Sequence, residues 1–105
     1  MKIDEEKVIK SFRDYLNNSI NSLSFYRESK EVVIDKCKIE GTIALTAGDY
    51  GDEFNYYVAG YANINIFLGE GSSLMAPRNF ECIIKAENDE VVCIKDNRIT
   101  ITDKF

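Results

Sequence analysis

The side chains here that could do chemistry are carboxylates, phenols and thiols, because the 105 residues include no histidine. That removes the usual proton shuttle at neutral pH, and with it any Ser-His-Asp or Cys-His arrangement. Acid–base work would need two carboxylates held apart in pKa, one of them in an apolar pocket. Asp35 shares its place in the alternation with Cys37 and Ile39, and so points toward a core; the other acids fall mainly in turns or on polar strand positions. Turn acids are ordinarily solvated turn formers. No set of residues fills the roles of nucleophile, base and charge stabiliser, so no enzymatic activity is expected.

Three further candidates are weak on spacing. Cys37, Cys82 and Cys93 are far apart, odd in number and outside any Cys-x-x-Cys pair. A zinc site would have to recruit carboxylates, so they read as reduced, buried small hydrophobes. Gly69-Glu70-Gly71-Ser72-Ser73 has the flexibility of a phosphate loop but lacks its lysine and carries an acid. It reads as a mobile connection. Asp49, Asp52 and Glu53 share one turn and could gather round a calcium ion, yet their spacing is not that of an EF-hand. No metal and no cofactor is expected.

The strongest clue is electrostatic. From Ile39 to Pro77 there is no Lys or Arg, while Glu40, Asp49, Asp52, Glu53 and Glu70 all fall there, with Tyr50, Tyr56, Tyr57 and Tyr61. Acid plus tyrosine suits a basic partner, since tyrosine is favoured at interfaces and negative charge steers association with positive grooves. The candidate partner-binding residues are therefore Asp49, Tyr50, Asp52, Glu53, Tyr57, Tyr61 and Glu70. The bland alternative places Tyr56 in the core and packs the other tyrosines on neighbouring strands, where aromatics are common.

These residues need a frame, and the hydrophobic periodicity supplies one. Apolar residues recur every three to four positions up to about residue 30, then every second position. That is one amphipathic helix followed by an antiparallel sheet, an α+β fold. Asp4 is the expected N-cap, Glu5 and Glu6 suit the first turn, and Ile3 with Val8 would form a hydrophobic staple. Val8, Phe12, Leu16, Ile20 and Leu23 form the stripe; Lys7, Lys10 and Arg13 fall on the opposite arc. Weak helix formers from Asn17 predict an end between Ser22 and Tyr26.

A first long strand is predicted from about Val32 to Ala47, with Gly41 marking a bulge or a close helix approach. A second returns from Phe54 to Leu68, and Gly69 to Asn79 is read as irregular. Phe80, Cys82, Ile84 and Ala86 make the core face of a third strand, ending in the turn Glu87–Glu90. Residues 91–102 are read as a tight hairpin about Asp96-Asn97, Ile94 opposite Ile99 and Val92 opposite Ile101. One continuous strand bent at Asp96-Asn97 is the rival.

A chain this long forms one domain, residues 1–105. Its composition, 45% hydrophobic and 30% charged, is that of a soluble globular protein. The net charge of -5 argues against gripping nucleic acid directly, which needs basic phosphate contacts. No stretch is long enough to span a membrane, and the start, Met-Lys-Ile-Asp-Glu-Glu, has no apolar signal run; a cytoplasmic protein is expected. The expected architecture is one N-terminal helix packed on a four- to five-stranded antiparallel meander, which resembles cystatin-like and NTF2-like folds in outline, by element order alone.

The expected function is a small acidic inhibitor or immunity protein that blocks a basic, nucleic-acid-binding protein. In size, charge and lack of catalytic apparatus it resembles anti-CRISPR proteins and other mobile-element inhibitors. The alternative is an NTF2-like ligand-binding or catalytic domain with a pocket between helix and sheet. A third reading is a homo-oligomeric accessory protein, a homodimer for example, using the outward row Tyr57, Ala59, Tyr61 and Phe67.

Overall fold

The computed structural model describes residues 4–69 and 72–102, without the side chains at 40, 68 and 72–75. Helix α1 runs Glu5–Ser19. It starts where the sequence says it should: the Asp4 carboxylate accepts the Lys7 backbone N–H at 3.3 Å, satisfying one of the orphan donors of the first turn. The Asn-Asn-Ser run ends it, and a 3-10 turn, Ile20–Ser22, follows. Ile3, the other half of the staple, lies outside the described residues. Val8, Phe12 and Leu16 are buried, and Phe12 stacks on Phe80 with ring centroids 6.1 Å apart and planes 11° from parallel.

Among the described residues seven strands follow: β1 (Ser24–Arg27), β2 (Lys30–Val32), β3 (Ile34–Ala47), β4 (Tyr56–Gly69), β5 (Ser72–Glu87), β6 (Glu90–Ile94) and β7 (Arg98–Ile101). They form one sheet ordered β2-β1-β7-β5-β4-β3, with β6 also on β5. The α+β class and the N-terminal helix hold. The expected four or five strands become seven, and the sheet is mixed because β1 runs parallel to β7. The short hairpin β1–β2 escaped the sequence reading because four- and three-residue strands carry too little alternation to show. The helix contacts both β3 and β6. Those strands are about 14 Å apart across β4 and β5, wider than a helix, so the sheet curls round it.

β3 and β4 pair as the long hairpin the alternation predicts. Ile39 pairs with Ala62 and Ile43 with Gly60, so four residues of β3 span two of β4. Gly41 sits in this bulge at φ 89°, a conformation natural only to glycine. An insertion of two residues keeps parity, so Cys37, Ile39, Ile43 and Leu45 still face one side. The helix also approaches here. The Arg13 guanidinium donates to the Ile39 carbonyl at 3.4 Å and the Gly41 carbonyl at 2.7 Å. Arg13 thus leaves the solvent arc expected for it: the bulge exposes carbonyls that a long cation can reach.

Two expectations for the second half change. Ser72–Asn79 is strand and not an irregular loop; only positions 70–71 of the expected connection lie outside the described residues. Pro77 is accommodated opposite Asn63, beyond the last β7 contact, the Thr102 N–H on the Asn79 carbonyl. The hairpin about Asp96-Asn97 does not form. Both residues have positive φ, and Arg98 N–H does close the turn on the Lys95 carbonyl. The flanking strands, however, pair with β5 in succession. Between the pairs Ile84/Ile94 and Glu81/Thr100, β5 advances three residues and the other strand six. The bent-strand rival is the structure, with three residues looped out. Long β5 offers its free edge to both halves, which puts Ile94, Ile99 and Ile101 on the core.

The contact between Phe12, Leu16 and the sheet generates a stability prediction. Phe12→Ala and Leu16→Ala are each expected to destabilise by about 2–5 kcal/mol, the range for emptying a closed core site. Urea melts check this; a loss below about half a kcal/mol for both would mean that the helix does not depend on its stripe.

Candidate interaction face

The helix covers one face of the sheet. On the other, β4 presents Tyr57, Ala59, Tyr61 and Phe67, and β5 presents Glu81, Ile83 and Lys85. Tyr61 is 49% exposed and Phe67 41%. Two shallow hollows lie on this face. One, of about 160 Å³, is lined by Tyr57, Glu81, Lys95, Asp96, Arg98 and Thr100, among others. The other, of about 330 Å³, is lined by Thr42, Tyr61, Asn79 and Thr102, among others; Tyr57 and Glu81 border both.

The structure divides the predicted site residues. Asp49, Asp52 and Glu53 stay together, exposed in the turn between β3 and β4. Asp49 Oδ1 accepts the Gly51 N–H at 3.1 Å, an Asx turn, and Asp52 and Glu53 both have positive φ. Tyr50 folds back over this turn, donating its hydroxyl to the Thr46 carbonyl at 3.1 Å. Tyr57 lies on the adjoining face, with Tyr61 about 13 Å further along β4. Tyr56 is core, as the bland reading has it. Glu70 lies outside the described residues. Asp35, the carboxylate expected to point inward, is exposed instead, because a one-residue bulge between Ile34 and Lys36 turns it out.

Cations from distant sequence lie beside the base-free stretch, and one of them, Lys85, pairs with an acid in it. Lys85 Nζ contacts Glu53 at 2.9 Å and Glu87 at 3.4 Å. Its hydrogen bond and charge hold the Glu53 carboxyl below the usual range. Lys95 donates to the Tyr50 carbonyl at 3.0 Å, with the Phe54 ring 5.6 Å away. Arg98 stacks 3.8 Å over Tyr26. A stretch without bases in the sequence is therefore not without bases in space. Strand parity could have shown that Glu81 and Lys85 point outward; which strand lies beside β4 could not be read that way. Among the described residues no group of three or more His, Cys, Asp or Glu is placed to hold a metal ion.

Tyr57 donates its hydroxyl to the Glu81 carboxylate. That bond, then burial and the Glu81 charge, push the phenol up to about 12. Burial, then Glu5 and Asp89, also raises Tyr56. Burial pushes the Cys37 thiol up to about 11; burial and then Glu81 push Cys82 up to about 12. All three cysteines are free. No helix among the described residues is long and apolar enough to cross a membrane. Comparison with models of known families, with curated proteins and with solved structures yields no match.

Two predictions follow from these environments. A phenol that is harder to ionise when folded contributes stability below its unfolded pKa of about 10, lost as pH rises toward 12. Alkaline titration followed by tyrosinate absorbance is expected to show a component near 12, absent in Tyr57→Phe, whose stability also falls less over that window. Cys37 and Cys82 carry almost no thiolate near neutral pH, so alkylation of the native protein should spare both and unfolding in urea should release both. Peptide mapping reads this directly; fast native labelling of either would contradict it.

Proposed function

We propose that this chain is a small acidic, non-enzymatic binding protein that docks a protein partner on the open face of its sheet. The observation that carries the reading is the row on β4: Tyr61 and Phe67 stand exposed on the face opposite the helix. Leaving such rings in water forgoes burial energy that a partner would recover, and aromatics dominate the anchors of protein interfaces. The acidic turn Asp49–Glu53 at the end of the same sheet selects a basic partner by steering. A nucleic-acid-binding protein has such a surface, and covering it would inhibit it. That is the action of an inhibitor or immunity protein, of the general kind found among anti-CRISPR and other mobile-element inhibitors.

The outline shared with cystatin-like and NTF2-like folds is an analogy of layout and assigns no residue. Against an NTF2-like pocket stands the space between helix and sheet, filled by Phe12, Leu16, Phe80 and Ile84.

The test is paired affinity capture from the native host with the wild type and with Tyr61→Ala/Phe67→Ala. A basic protein retained by the first and lost by the second is the expected result. With that partner in hand, surface plasmon resonance should show slower association for Asp49→Lys/Asp52→Lys/Glu53→Lys, and faster dissociation for Tyr61→Ala. Rising salt should weaken the wild type more than the charge-reversed variant. An unchanged association rate with unchanged salt dependence would remove the acidic turn from the interface.

A further inference from the structure

We infer that two copies of this chain join edge to edge through Ile43–Ala47 of β3, making one continuous sheet across a twofold axis at Leu45. This rests on the sheet edge and is independent of the partner reading above. β3 is the long edge strand of the sheet, and edges left bare pair with other chains. Most of β3 is guarded against that. A bulge at Asp35 breaks the row of backbone groups, Lys36 and Lys38 place charge on it, and Arg13 occupies the Ile39 and Gly41 carbonyls.

Ile43–Ala47 has none of these guards. It reads Ile-Ala-Leu-Thr-Ala, without charge, proline or bulge, in unbroken register from Ile43/Gly60 to Ala47/Tyr56. Its phase is set by the Gly48 N–H on the Asn55 carbonyl at 3.1 Å. In an antiparallel ladder the bonded pairs alternate, so Ala44 and Thr46 bond to β4 while Ile43, Leu45 and Ala47 turn their N–H and C=O outward. Two such segments fit antiparallel. Ile43, Leu45 and Ala47 of one copy would exchange bonds with Ala47, Leu45 and Ile43 of the other. Ala44 would then face Thr46 of the second copy, both exposed on the open face.

Charge selects a second copy as the occupant. Residues 35–40 before the segment hold Lys36 and Lys38 against Asp35 and Glu40, and Arg13 on the Gly41 carbonyl tips that end positive; Asp49 and Asp52 follow the segment. Antiparallel pairing sets the lysine end of each copy beside the acidic turn of the other, on both sides of the axis. Parallel addition would set like beside like.

The experiment is sedimentation equilibrium of the full chain from micromolar to millimolar concentration. The wild type is expected to rise from 12.0 kDa toward twice that mass, and less so at high salt. Ala44→Lys/Thr46→Lys sets lysines against lysines across the axis and should hold the monomer mass throughout. Ala44→Lys/Thr46→Glu sets each introduced lysine against an introduced glutamate and should recover the dimer. Far-ultraviolet circular dichroism establishes that both variants keep the fold. A wild type that stays at 12.0 kDa at every concentration overturns the proposal. So does a folded double-lysine variant that associates like the wild type, since association would then use another surface.

Discussion

Phe80 lies where a side chain at position 60 would be, and the rest of the molecule is arranged round that fact. A Cβ on Gly60 would come within 2.9 Å of the Phe80 ring and 3.3 Å of Ile43. Contacts that short force something to move, so the bare glycine lets the Phe80 ring lie over β4. Phe12 then stacks on Phe80, which fixes where the helix crosses the sheet. The helix in turn brings Arg13 to the bulge at Gly41 and carries the chain to β1. Because this one layer closes the inner face, the aromatic residues of the other face are left for water or for another molecule.

β5 is the second organising element. Its sixteen residues pair with β4 along most of one side, while the other side is shared by β6 and β7 with the loop at Asp96-Asn97 between them. The loop sends Lys95 to the Tyr50 carbonyl and the Phe54 ring, and so props the acidic turn. Structure and candidate site are thus linked: Lys95 at the bend of the last strand supports the same turn whose Glu53 is paired with Lys85 of β5.

What could be read from the sequence is what depends on local period. The helix stripe, its Asp4 cap, the two long strands and the bulge at Gly41 are all properties of residues close together in the chain. Pairing between distant segments is another matter. Ser72–Asn79 holds two serines, an asparagine and a proline, yet becomes strand because β4 continues alongside it. Asp96-Asn97 has the chemistry of a hairpin turn and makes that turn, but the edge of β5 competes for both flanking strands. The site suffered in the same way. Its acids and tyrosines were visible, whereas Lys85, Lys95 and Arg98 come from strands whose neighbours only the sheet order defines.

The parallel pair β1–β7 has a consequence for how the chain reaches this state. β1 is made early in synthesis and β7 late, yet β1 has its place only beside β7. Until residues 98–101 have left the ribosome, Phe25 has no Ile99 to lie against and the β1–β2 hairpin has no edge to join. Contacts this distant along the chain carry a large loop-closure cost before they repay it, which slows folding. The nascent chain must therefore wait with a helix stripe and several long strands uncovered, and it is in that interval that chaperones or self-association would meet it.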